Sequence, residues 1–166
     1  MKKSLAIAAG TLFLLAGVLW FIVLQPDPEP VSYPANALLA DGRGHYERKE
    51  YDLALEVLRQ MPAGQVETAQ ARYYEGSSYM MLKDYESATI ALEQGLALNP
   101  RDTGTLYALG VSSYKLGNVK LAKGYFASVL EINPNDEQAK GLYDIMARLE
   151  RQSVAESETP EATENE

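Results

Sequence analysis

No cysteine occurs in the chain, so disulfides, thiolate metal sites and cysteine nucleophiles are excluded. That absence leaves the redox compartment open. Histidine is nearly as scarce. His45 stands alone, with no second histidine or cysteine to share a metal and no serine or acid at a triad-like spacing. Positive charge is in deficit, with 15 Lys and Arg against 23 Asp and Glu for a formal charge of −8, which argues against nucleic acid as a partner. Gly42-x-Gly44 is no phosphate loop, because no strand pattern precedes it and no Gly-Lys-Ser/Thr follows. Paired carboxylates such as Glu131 and Asp136 fall at expected helix ends and turns, where solvation accounts for them. No catalytic residue, metal or cofactor is expected, and the chain reads as a non-enzyme.

What the chain does have begins at its N-terminus. "MKKSLAIAAGTLFLLAGVLWFIVLQPDPEP" carries no charge from Ser4 to Pro26. At 1.5 Å per residue, Leu5 to Leu24 would span roughly 30 Å as a helix, the thickness of a bilayer core. The run is longer than a usual signal-peptide core, and its exit, Ile22-Val23-Leu24-Gln25, offers no small-x-small cleavage site. "LLAGV" resembles a lipoprotein signal, but Val18 stands where that signal needs cysteine. A retained transmembrane signal anchor over 1–25 is therefore expected. Lys2 and Lys3 precede it and Asp27 and Glu29 follow it, which places the N-terminus in the cytoplasm and the rest outside. Residues 26–34 form a Pro-rich, extended spacer. At the far end, "RQSVAESETPEATENE" has almost no branched aliphatic side chain, and 153–166 is expected to be a disordered acidic tail.

Between these ends the chain repeats itself. Shifted by 34 residues, Gly42, Gly76 and Gly110 align, as do Ala54, Ala88 and Ala122. Leu58, Leu92 and Phe126 form a third column, and Pro100 pairs with Pro134. Two further glycines in register with the first have odds of roughly 1 in 200. Each unit reads as two helices. In the third, Leu106, Leu109 and Val111 recur at helical spacing, Gly117-Asn118 makes a turn, and Val119, Ala122, Phe126, Val129 and Leu130 share one face. Asn-Pro closes it, since a residue before proline avoids the helical region. The small residues at Gly110 and Ala122 leave room for two backbones, with Phe126 beside them.

These residues resemble the tetratricopeptide repeat (TPR). Unit three shows Leu106, Leu109-Gly110, Gly117-Asn118, Ala122, Phe126 and Pro134. Unit two shows Gly76, Tyr79, Asp84-Tyr85, Ala88, Leu92 and Pro100, but Arg72 and Glu75 occupy its two apolar slots. Unit one shows Leu38, Gly42, Tyr51, Ala54 and Leu58 and then departs as "MPAGQ", so its second helix is expected to stop at Met61. The resemblance implies an all-α solenoid of three helix pairs (35–68, 69–102, 103–136) and a capping helix (137–152), within a domain over 35–152. Leu142, Ile145, Met146 and Leu149 make the face that covers the last repeat.

The resemblance also implies a concave groove lined by the first helix of each pair. Its register points to Leu39, Arg43 and Tyr46 in unit one, Tyr73, Ser77 and Met80 in unit two, and Tyr107, Val111, Tyr114 and Lys115 in unit three. Glu47 and Met81 stand beside them. Some grooves of the family clamp a carboxylate with Lys, Arg and Asn; here the matching positions are mostly apolar or aromatic, which argues against that mode. Tyr51, Tyr79 and Tyr85 match packing positions. The implied function is a membrane-anchored scaffold of a bacterial envelope that binds a protein or peptide, with the domain periplasmic. A chaperone-like holder of exported chains is the alternative, as in translocon-linked folding or cytochrome c maturation, and an organellar receptor facing the cytosol is a further one. Pairing into a homo-oligomer stays open.

Overall fold

Seven helices follow the expected order in the computed structural model, which describes residues 34–62 and 66–158. They are α1 (Ala35–Glu47), α2 (Tyr51–Leu58), α3 (Val66–Met81), α4 (Tyr85–Leu98), α5 (Thr103–Lys115), α6 (Val119–Ile132) and α7 (Glu137–Glu158). No strand occurs among the described residues. The expected anchor (1–25), the spacer up to residue 33 and residues 159–166 of the tail lie outside them. Pro34, the last residue of the expected spacer, is extended and caps α1: its carbonyl accepts the N–H groups of Ala37 and Leu38.

Each helix pair closes by the same turn. The residue after the first helix's C-cap is left-handed in all three pairs: Lys49 (φ 64°), Lys83 (φ 65°) and Gly117 (φ 82°). The next N–H then reaches back five residues: Glu50 to the His45 carbonyl, Asp84 to Tyr79 and Asn118 to Ser113. This is the Schellman closure, which satisfies carbonyls the helix leaves open. Only glycine holds that conformation without a Cβ penalty. Lys83→Gly is accordingly expected to stabilise the domain by about 0.5–1 kcal/mol, seen as a higher urea midpoint at unchanged m-value.

Helix starts follow from short acidic side chains. Asp84, Asp102 and Asp136 accept the N–H groups of Ser87, Thr105 and Ala139, satisfying donors that open each helix. Asn99 and Asn133 end α4 and α6 in nearly the same extended conformation (φ −137° and −131°), as the prolines after them require.

Within each pair the missing side chain of a glycine is occupied by its neighbour. A Cβ on Gly42 would fall 2.5 Å from Leu58, one on Gly76 2.5 Å from Leu92, and one on Gly110 2.7 Å from Phe126. Backbone approach is secondary: only at Gly76 does the partner helix bring a backbone atom, the Ala88 carbonyl, within 3.1 Å of that position. Ala54, Ala88 and Ala122 are fully buried. Pairs then stack. The second helix of each packs on the first helix of the next, α6 packs on α7, and the first helices α1, α3 and α5 touch in succession.

Two boundaries differ from expectation. The second helix of unit one ends at Leu58, not at Met61. Arg59 and Gln60 make a turn, and Met61 folds in as a buried plug of the first core, with Pro62 unable to continue a helix. The capping helix is longer than 137–152 and runs to Glu158. No glycine or proline interrupts it after Gly141 until Pro160, and Glu, Gln, Arg and Ala favour a helix even where nothing packs on it. Residues 153–158, expected to be part of the disordered tail, are helical.

Candidate protein-binding groove

The groove candidates sit on α1, α3 and α5, the helices that neighbour one another, but in unlike surroundings. Arg43, Tyr114 and Lys115 are exposed, as are the adjacent Glu47 and Met81. Leu39, Tyr46, Tyr73, Met80, Tyr107 and Val111 are half-buried. Leu39 packs on the first core, Met80 on the second, and Val111 on the last. Ser77 departs from the reading as a groove residue. It is only 6% exposed.

Tyr46, Tyr51, Tyr74 and Tyr73 form a connected set of rings, and Tyr107 stands apart from it. Tyr46 lies tilted against Tyr51 and Tyr74, with ring centroids 5.7 and 5.5 Å apart. Tyr73 meets Tyr74 edge-on at 5.4 Å. Tyr107 meets Phe126 edge-on at 5.5 Å. These are favoured quadrupole geometries. Burial, followed by the neighbouring Tyr73 and Tyr51, raises the Tyr46 hydroxyl above the usual phenol value. Burial also raises that of Tyr107. Both rings are therefore half wall and half surface, with Tyr107 anchored to the core through Phe126. Tyr74 was missed by the sequence reading, which followed the groove register to Tyr73 alone. Tyr79, read as a packing residue, stacks under the Arg59 guanidinium at 5.4 Å.

Charge on these helices is sparse and partly neutralised. Arg43 pairs with Glu47 at 3.5 Å along the same helix. His45 places Nδ1 2.7 Å from Glu50 Oε2, and Arg48 reaches the same oxygen at 3.0 Å. Those hydrogen bonds, from His45 first and Arg48 second, hold the Glu50 carboxyl below the usual glutamate value. The single histidine thus serves the turn after α1. Among the described residues no three His, Asp or Glu side chains gather as a metal site.

Where α3 starts, α4 ends and α5 starts, a cavity of about 440 Å³ opens. Tyr73 and Tyr74 form one wall, and Gln70, Asn99, Asp102 and Gly104 supply much of the rest. Tyr73 thus belongs both to the aromatic set and to this cavity.

Residues 69–102 match the tetratricopeptide repeat family model, and residues 101–149 match the model for the Fis1 C-terminal tetratricopeptide repeat. Tetratricopeptide repeat protein 12 of Homo sapiens is 30% identical over 125 residues, covering 74% of this chain and 17% of that protein. The chain therefore spans about a sixth of that relative's length. Among solved structures, the first TPR of Spaghetti (RPAP3) bound to the HSP90 peptide SRMEEVD superposes with a TM-score of 0.65. It shares 22% identity, over 73% of this chain and 93% of that one. The second TPR domain of human RPAP3 in complex with the HSP70 peptide SGPTIEEVD gives 0.62 at 20% identity, over 69% and 98%. At these identities the likeness concerns the fold.

Proposed function

We propose, for a chain whose residues 69–149 carry tetratricopeptide repeats, that it is a membrane-anchored interaction scaffold holding a partner protein's segment along α1, α3 and α5. The observation that carries this reading is the aromatic and sulfur-bearing surface of those helices. Met81 is 53% and Tyr114 41% exposed, and Tyr46, Tyr73 and Tyr107 are half-buried on the same helices. Large, stiff, amphipathic side chains give contact area at little entropic cost, and methionine adapts to varied partners. The RPAP3 domains hold peptides ending in Glu-Glu-Val-Asp. Here Arg43 is already paired with Glu47, and Lys115 is the other cation on the groove positions. The partner segment is accordingly apolar and aromatic in its main contacts, not an acidic chain end.

Membrane attachment is part of the proposal and rests on the uncharged run from Leu5 to Leu24, outside the described residues. Among the described residues no helix is long and apolar enough to cross a membrane. Lys2 and Lys3 before the run support a cytoplasmic N-terminus and an exported repeat domain. A topology reporter fused after Glu166 tests the orientation, and a reporter active only in the cytoplasm would overturn it. Within the envelope, a scaffold and a chaperone-like holder differ in selectivity: one tight partner against weak binding of many apolar chains.

Crosslinking in the membrane, followed by identification of the captured protein, tests the groove. Changing Tyr73, Tyr107 and Tyr114 together to alanine is expected to cut capture at least tenfold, because aromatic anchors dominate such interfaces. Tyr107 also supports Phe126, so the Tyr73→Ala/Tyr114→Ala pair serves as the fold-preserving version, checked by unchanged far-UV circular dichroism. Capture that survives both sets would move the contact to the outer face or the cap.

A further inference from the structure

The cavity between α3, α4 and α5 has a chemistry of its own. Its volume, about 440 Å³, is many times the roughly 30 Å³ share of one water molecule. Two glycines line it. A Cβ on Gly104 would stand 3.5 Å from the Tyr73 ring, and one on Gly95 would stand 3.2 Å from the Ala69 carbonyl. The Tyr73 and Tyr74 rings meet edge-on at its wall, and an aromatic face attracts cations.

Charge in the lining has one sign. Among the described residues that line it, Asp102 is the only charged one, and none is a lysine or arginine. Both of the Asp102 bonds to Thr105, from the backbone N–H at 2.8 Å and from the hydroxyl, fall on Oδ2. The end of α4 opens into the same space through Gly95 and Asn99, and its last turn carries no basic residue. Although the Gly95 and Asn99 carbonyls already accept the Asn99 and Asp102 N–H groups, a helix C-terminus carries a negative partial charge that favours a cation. The start of α5 would oppose one, but Asp102 caps it. Two nearby arginines point elsewhere. Arg72 pairs with Glu75 and lines a separate cleft with Tyr79, and Arg101 lines a groove with Leu106.

We propose that this cavity receives a cationic side chain, lysine or arginine, from the segment bound along the groove. The proposal rests on the groove reading and adds a chemical requirement to it: a basic residue set within an otherwise apolar and aromatic segment. Tyr73, shared by both surfaces, fixes where the side chain leaves the groove. An acidic side chain at that point would meet Asp102 and the negative end of α4, with no lysine or arginine among the described lining residues to balance it.

The test uses the full chain in lipid nanodiscs and fluorescent decapeptide pools. The pools are rich in aromatic and aliphatic residues and have one central position fixed as Lys, Arg, Gln, Leu or Glu. Lys and Arg pools are expected to bind about tenfold more tightly than the Glu pool and about fivefold more tightly than the Gln pool. Asp102→Asn keeps the cap, since asparagine accepts the same N–H, and should abolish the basic preference while leaving Leu-pool binding intact. Gly104→Leu should fill the cavity and weaken the Lys and Arg pools about fivefold or more. Pools that bind without basic preference, or a preference that survives both variants, overturn the cavity assignment and leave the groove standing. A chain that binds no pool overturns the groove reading and the cavity with it.

Discussion

Truncating Phe126 to alanine is expected to destabilise the array by about 3–5 kcal/mol, the largest single loss predicted for an apolar side chain here. Phe126 is 1% exposed and is the largest fully buried side chain described. It joins the core that includes Ala122 and Met146, supports Tyr107 edge-on, and fills the space that Gly110 leaves. No neighbour is placed to collapse into that volume without giving up another contact, so a cavity should persist. The glycine sharpens the test. Gly110→Ala alone should cost about 1–3 kcal/mol, because its new methyl would overlap the Phe126 ring. In the Phe126→Ala background the ring is gone, and the same change should be neutral or stabilising, since alanine is the better helix former by about 1 kcal/mol. Urea unfolding of the four chains gives the cycle. Additive effects, within about 0.5 kcal/mol, would show that the two residues are not coupled and would remove the glycine column's physical explanation.

The 34-residue register was legible because the crossings tolerate few residue types. A glycine meets a leucine or phenylalanine side chain at under 3 Å from its absent Cβ, and fully buried alanines follow in step. The left-handed turn was legible only at Gly117; at Lys49 and Lys83 the same conformation is carried by residues that give no such signal. A polar composition points to disorder at the end of α7, whereas a run free of glycine and proline continues a helix already anchored by Ala139 and Met146. The groove was legible as a set of positions but not as a surface. The burial of Ser77 and the exposure of Tyr114 are set by packing between helices, and Tyr74 joins the aromatic set only through contacts with Tyr46 and Tyr73. The cavity is built from the ends of three helices, so no local pattern announces it.

The apolar slots that unit two fills with Arg72 and Glu75 carry the second large prediction. Glu75 is buried, its side chain 8% exposed, and its carboxylate pairs with Arg72 on the same helix and with Arg59 at 3.8 Å. Arg59 also donates to the Tyr79 hydroxyl and covers its ring. Unit one, with its eight-residue α2, therefore docks on α3 partly through ions where the repeat pattern has hydrocarbon. Removing one partner strands the others. Glu75→Ala is expected to cost about 2–3 kcal/mol, at or below the bottom of the range for broken buried pairs, because the Arg59 and Arg72 side chains, 57% and 22% exposed, reach water. Amide exchange should locate the loss in α1 and α2, which would open ahead of the remaining helices. Replacing both, Arg72→Leu with Glu75→Leu, removes the desolvation cost and restores packing, and the doubly altered chain is expected to equal or exceed the parent by up to about 2 kcal/mol. If the double change is as damaging as Glu75→Ala, the ion pair contributes stability of its own, and the repeat pattern's apolar slots are not what this junction lacks.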